Sequence, residues 1–144
     1  MEAHIPRILI VEDQYFVAVD CEAQLQSAGY LCAGLASTAA NAQYLAERER
    51  PDLILMDIRL ASRRDGVQAA IDIYRQFGIR CIFTSAHADA QIRKQAEPAH
   101  PLGWLDKPFT PERLIEAVRV GLAELGHIPS DEPEETPAGR MRLG

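Results

Sequence analysis

Five polar residues in this chain close four short apolar runs, and their types suit one kind of chemistry. Arg7-Ile8-Leu9-Ile10-Val11 ends in Glu12-Asp13, and Leu53-Ile54-Leu55-Met56 ends in Asp57. Cys81-Ile82-Phe83 ends in Thr84, and Gly103-Trp104-Leu105 runs through Asp106 into Lys107. Three carboxylates brought to one place repel one another unless a cation sits among them. All-oxygen ligation without a thiolate favours Mg2+, with Mn2+ as the alternative, over zinc. Mg2+ keeps several waters and prefers one or two carboxylates plus phosphate oxygens, which points to phosphoryl chemistry. A phosphoryl group in transfer spreads its charge over three equatorial oxygens, and the ion, the Lys107 ammonium and the Thr84 hydroxyl can each take one. Asp57 is then the nucleophile that forms an acyl phosphate. Taken singly, each of these residues is an ordinary strand exit, cap or surface group. Their joint placement carries the reading.

The elements that must position them follow from hydrophobic spacing. A run of about four to eight apolar residues bounded by turn signals reads as a strand covered on both faces. After the first strand, Val17, Cys21, Leu25 and Ala28 recur at helical spacing from Gln14 to Ala28, and Gly29 stops that helix. Tyr30 to Leu35 is a second strand. Ser37 or Thr38 then caps a helix to about Arg48 with Ala42, Leu45 and Ala46 facing inward. Pro51-Asp52 opens the strand that ends in Asp57, and Arg63-Arg64-Asp65-Gly66 marks the turn beyond it. Asp65 is the expected cap of a helix with Val67, Ala70, Ile71 and Tyr74 on one face, closed by Gly78. The helix from about Asp89 to Ala96, bounded by Pro98 and Pro101, has little apolar face beyond Ile92 and is expected to pack loosely. Thr110-Pro111 opens the last helix, lined by Leu114, Ala117, Val118, Gly121, Leu122 and Leu125. Strands alternating with helices imply a parallel sheet with helices on both faces, the doubly wound α/β class. Ligands of such sheets bind outside the carboxyl ends of the strands, where the five polar residues fall.

Composition narrows the function classes. A length of 144 residues, 47% apolar and 25% charged, suits one soluble domain, and a net charge of −6 argues against a general nucleic-acid surface, so no DNA is expected as a partner. No run approaches a membrane span, and Met1 to Arg7 lacks the order of a signal peptide, so a cytoplasmic protein is expected. Cys21, Cys32 and Cys81 are far apart among apolar residues and read as buried small hydrophobes. His4, His87, His100 and His127 show no zinc spacing and read as scattered surface residues. The domain is expected over 6–125, and the stretch 126–144, with its prolines and acids, reads as a disordered tail.

With these residues in order, the sequence resembles a response-regulator receiver domain over about Pro6 to Leu125. The acidic pair of that family matches Glu12-Asp13, the phosphoacceptor Asp57, the switch hydroxyl Thr84, and the lysine followed by a cis proline Lys107-Pro108-Phe109. The resemblance implies a five-stranded sheet of order 2-1-3-4-5. It implies Mg2+ held by Asp13, Asp57 and the backbone carbonyl of Arg59, with Glu12 acting partly through water. A histidine kinase or phosphotransfer protein would donate the phosphoryl group, and a downstream protein would bind the surface at about 89–125. The family's switching aromatic falls on Trp104, where Tyr or Phe is more usual, so a core or interface tryptophan and a rotamer switch both stay open. Arg59 and Ala86 lie where the family tunes the access of water to the acyl phosphate, although Arg59 also reads as a solvated loop charge. A stand-alone signalling domain rather than an enzyme is therefore expected, with no oligomeric state specified. The rival is a Mg2+-dependent phosphohydrolase of the haloacid-dehalogenase type, which needs a second Asp two residues after the nucleophile; Arg59 stands there instead. A flavin or dinucleotide carrier would need a glycine-rich turn where Glu12-Asp13-Gln14 stands.

Overall fold

The computed structural model describes residues 4–60 and 66–127. The strands are β1 (Arg7–Val11), β2 (Leu31–Ala36), β3 (Leu53–Asp57), β4 (Cys81–Ser85) and β5 (Gly103–Asp106). Between and after them run helices α1 (Tyr15–Ser27), α2 (Ala39–Glu49), α3 (Gly66–Phe77), α4 (Ala90–Gln95) and α5 (Pro111–Glu124). All five strands are parallel, in the order β2-β1-β3-β4-β5. The chain therefore leaves β1 on one side toward β2 and returns beyond it as β3. That reversal opens a crevice between the carboxyl ends of β1 and β3.

Alternation along the central strands divides the core in two. Ile8, Ile10, Leu53, Leu55 and Ile82 face α1 and α5, meeting Ala18, Cys21, Leu25, Leu114, Val118 and Leu122. Leu9, Val11, Ile54, Met56 and Phe83 face the other way, toward Ala42 and Ala46 of α2 and Val67, Ala70 and Ile73 of α3. Both faces of β3 and β4 are buried along their whole length, which is why those strands read as unbroken apolar runs.

Local chemistry sets the helix starts. Thr38, rather than Ser37, caps α2 by accepting the Asn41 N–H at 3.1 Å. Asp89 caps α4 through the Ile92 N–H at 2.9 Å, and Thr110 caps α5 through the Arg113 N–H at 3.1 Å, with Pro111 at the first helical position. The expected Asp65 cap, like Arg63 and Arg64, lies outside the described residues, as does 128–144. α4 spans Ala90–Gln95 between its caps Asp89 and Ala96, as its spacing suggests, and none of its residues is buried. A 3-10 turn at Glu97–Ala99 follows it, with Ala96 and Ala99 fully inside the core, so the segment is anchored by the alanines behind the helix. Gly126 and His127, assigned above to the tail, continue the packed structure: the His127 N–H donates to the Leu122 carbonyl at 2.8 Å. Among the described residues no helix is long and apolar enough to cross a membrane.

Candidate functional site

β1 and β3 are neighbours, so their last residues bring acids together from opposite arms of the crevice. Glu12 follows β1 and is buried; Asp13 beside it is exposed; Asp57 ends β3 and is 5% exposed. Carboxylate oxygens from Glu12, Asp13 and Asp57 lie within 4.8 Å of one another. β5 delivers the countercharge. The Lys107 ammonium donates to Glu12 Oε1 at 2.7 Å and to Asp57 Oδ2 at 3.2 Å. It is placed there by its own backbone, whose N–H donates to the Ser85 carbonyl at 2.8 Å; the following peptide bond, Lys107-Pro108, is cis. Burial by itself disfavours the Lys107 ammonium, but the hydrogen bonds and charges of Glu12 and Asp57 outweigh it and hold its pKa above the ordinary lysine value.

The remaining bonds divide the roles of the acids. Glu12 is engaged on both oxygens, Oε1 by Lys107 and Oε2 by the Gln14 N–H at 3.0 Å. Asp57 accepts the Arg59 N–H on Oδ1 at 3.2 Å as well as Lys107 on Oδ2. Asp13, exposed, is free to approach an ion from the solvent side. The donor set is all oxygen, with no thiolate or imidazole, and so fits a hard, hydrated divalent cation of the Mg2+ type. Glu12, with both oxygens already taken, suits contact through water. The Arg59 side chain is exposed, while its main chain lies against Asp57.

Thr84 sits directly across from Asp57 in the β3–β4 register and is 5% exposed, so a hydroxyl neighbours the carboxylate at the next strand end. The Ile58 N–H donates to the Thr84 carbonyl at 3.1 Å, extending this pairing past the strand. Trp104 lies away from the acids: its ring stacks on Phe83 with centroids 4.7 Å apart, and the Arg93 guanidinium of α4 lies 4.7 Å from the indole centroid. The indole thus joins β4, β5 and α4 in one contact.

Several residues with a part in this site were not singled out in the sequence. Gly66, read there only as part of a turn, starts α3 against the main chain of the strand that ends in Asp57. A Cβ at that position would overlap the Asp57 carbonyl oxygen, and the Gly66 N–H donates to the Ile58 carbonyl at 2.6 Å. Arg93, the partner of Trp104, carried no signal because the contact joins segments distant in the chain. The Ser85 hydroxyl shapes the loop after β4 by accepting the His87 N–H at 2.9 Å. One sequence reading is corrected: the histidines are not all scattered, because His4 and His127 converge on Asp52 at the amino end of β3. Spacing along the chain could not reveal that, since the three come from distant parts of the chain.

Comparison with known proteins accords with this arrangement. Residues 8–119 match the family model described as the response regulator receiver domain. The transcriptional regulatory protein PdtaR of Mycobacterium tuberculosis is 31% identical over 92% of this chain, which spans 65% of that relative. Protein CcdB of Bacillus subtilis is 31% identical over 78% of this chain and 93% of its own length. Among solved structures, the signal receiver domain of a modulated diguanylate cyclase from Desulfovibrio desulfuricans superposes with a TM-score of 0.77 at 30% identity. That likeness covers 84% of this chain and 96% of the other. A buried acid at the end of the third strand, held by a lysine from the fifth and flanked by the acids of the first, thus sits on a sheet of matching order and on a matching sequence: the chain belongs to the response regulator receiver domain family.

Proposed function

We propose that this chain is a two-component response regulator whose Asp57 accepts a phosphoryl group from a histidine kinase or a histidine phosphotransfer protein. The observation that carries the reading is the double engagement of Lys107 with Glu12 and Asp57, which holds a cation against the carboxylate that must meet an anionic donor. The Asp57 carboxylate oxygen forms the new P–O bond as the P–N bond of the donor phosphohistidine breaks, and the departing imidazole nitrogen takes a proton from water. Lys107 and the Thr84 hydroxyl stabilise the equatorial oxygens, and the Arg59 N–H orients Asp57. Asp13, Asp57 and the Arg59 carbonyl would hold Mg2+, with Glu12 reaching it through water; the ion supplies neutralisation of the phosphoryl charge.

The product carries about 1.5 to 2 negative charges where one stood before. Thr84 and Lys107 turn to meet that charge; the strand end carrying Thr84 leads into the loop before α4, and the one carrying Lys107 into the loop before α5. The output surface is therefore the face at about 89–125, and α4, with none of its own residues buried, is the element that responds. Receiver domains are signalling domains, and this chain acts in the cytoplasm by contact with a downstream protein or by relaying phosphate. A phosphohydrolase of the haloacid-dehalogenase type is disfavoured, since Arg59 exposes its side chain where that chemistry needs a second acid.

Incubation with Mg2+ and a small acyl-phosphate donor, followed by intact mass, tests the reading. One phosphate on the native chain and none on Asp57→Asn is the expected result. Steady hydrolysis of unrelated phosphate esters without a phosphorylated chain would overturn it.

A further inference from the structure

At the end of the sheet remote from Asp57, three side chains from distant parts of the chain meet. His4 lies in the segment before β1, Asp52 in the turn entering β3, and His127 in the turn after α5. One ligand atom from each lies within 4.8 Å of the other two. His4 Nε2 is 2.8 Å from Asp52 Oδ2, His127 Nε2 is 3.9 Å from Asp52 Oδ1, and the two imidazole centroids are 5.5 Å apart. The five residues of β3 separate this cluster from Asp57 by about 16 Å. We propose that His4, Asp52 and His127 form a binding site for a borderline divalent transition ion, zinc above all, independent of the phosphoacceptor site.

The donor types decide the metal. Two neutral imidazoles and one carboxylate suit Zn2+ and its neighbours rather than Mg2+ or Ca2+, which take all-oxygen shells. Zinc bonds of about 2.0 to 2.2 Å at tetrahedral angles put ligand atoms about 3.3 to 3.6 Å apart. His127 Nε2 stands 3.9 Å from Oδ1 and His4 Nε2 2.8 Å from the other oxygen of the same carboxylate, so modest side-chain rotations, of exposed His4 above all, complete the shell.

The support behind the ligands is already built. Asp52 Oδ2 accepts the Arg7 N–H at 2.8 Å, and the Asp52 N–H donates to the Arg7 carbonyl at 2.9 Å, which locks the carboxylate to β1. Such an outer hydrogen bond orients a ligating carboxylate, leaving Oδ1 for the ion. The His127 main chain is tied to α5 through Leu122, so its imidazole is presented by a fixed helix end. On binding, the ion exchanges three waters for the two Nε2 atoms and Oδ1, keeps water at the open position, and joins the segments before β1 and after α5.

The test uses the full chain without a histidine tag, titrated with Zn2+ calorimetrically in excess Mg2+, which fills the acidic crevice. One zinc per chain with micromolar or tighter affinity is expected, retained in Asp57→Asn and weakened at least tenfold in His4→Gln and in His127→Gln. Zinc at 100 times its dissociation constant should raise the Tm by about 5 to 10 °C in the native chain and not in the histidine variants. A measurement that needs no variant is nitrogen NMR of the imidazoles: the Nε2 signals of His4 and His127 should move with zinc while those of His87 and His100 stay. Binding unchanged by both histidine variants, affinity no tighter than millimolar, or equal shifts at all four histidines would overturn the proposal.

Discussion

Lys107 holds two buried carboxylates at once, and its removal has opposite effects on the fold and on ion binding. Without the ammonium, Glu12 and Asp57 face each other uncompensated, a destabilising arrangement for buried groups. The same change removes a positive charge that competes with a divalent cation for those oxygens. Lys107→Met is therefore expected to lower Tm in the absence of Mg2+, to recover more of it than the native chain when Mg2+ is added, and to bind Mg2+ more tightly in calorimetry. Phosphorylation by a small acyl-phosphate donor should fall about 10²-fold, because a fixed donor to the transferring group is gone. Since the pKa of Lys107 is raised above its unfolded value, its contribution is fully present at neutral pH and is lost only as alkaline pH passes the folded pKa. Trp104 belongs to this scale too. Phe83 stacks on the ring and the Arg93 guanidinium lies over it, so any swing of the indole must break a stacking and a cation–π contact together.

Among the elements, the start of α3 is the most tightly placed against the site. Gly66 lets the helix begin against the Asp57 carbonyl, an approach that any Cβ would prevent. Gly66→Ala is expected to cost about 1 to 3 kcal/mol in urea unfolding, as overpacking does, and to reduce phosphorylation because the strand carrying Asp57 is displaced. A gain from the better helix propensity of alanine, about 1 kcal/mol, would be the outcome if the helix start simply moved away. α4 stands at the other extreme. Its weak apolar face was legible in the sequence, but its anchoring by Ala96 and Ala99 was not, because a 3-10 turn with a proline has no periodicity to read.

For the whole molecule, the two halves of the core can be probed by one cysteine each. Cys21 lies on the α1 and α5 side and Cys81 on the α2 and α3 side, both as free thiols. Burial, aided by the nearby acids Asp20 and Glu12, pushes the Cys21 thiol up to about 11, and burial raises Cys81 further. In the native chain a thiol reagent should reach half-buried Cys32 first, while Cys21 and Cys81 react slowly and at rates that converge, if one cooperative unfolding exposes both faces. Stability should also fall as pH rises from about 8.5 toward the folded Cys21 value, because the unfolded chain releases protons there that the native chain keeps. Separate protection of the two thiols, measured by mass after timed alkylation, would show instead that the faces open independently. Apolar runs closed by Glu12-Asp13, Asp57, Thr84 and Lys107 determined the strands, their parallel class and the chemistry at their ends, because buried strands and polar exits are local patterns. Only the tertiary structure decided that Lys107 bonds Glu12 and Asp57 together, that Gly66 meets the Asp57 main chain, that Arg93 covers Trp104, and that His4 and His127 share Asp52. Each of those contacts joins residues from different elements, and no spacing along a chain encodes where two separate elements touch.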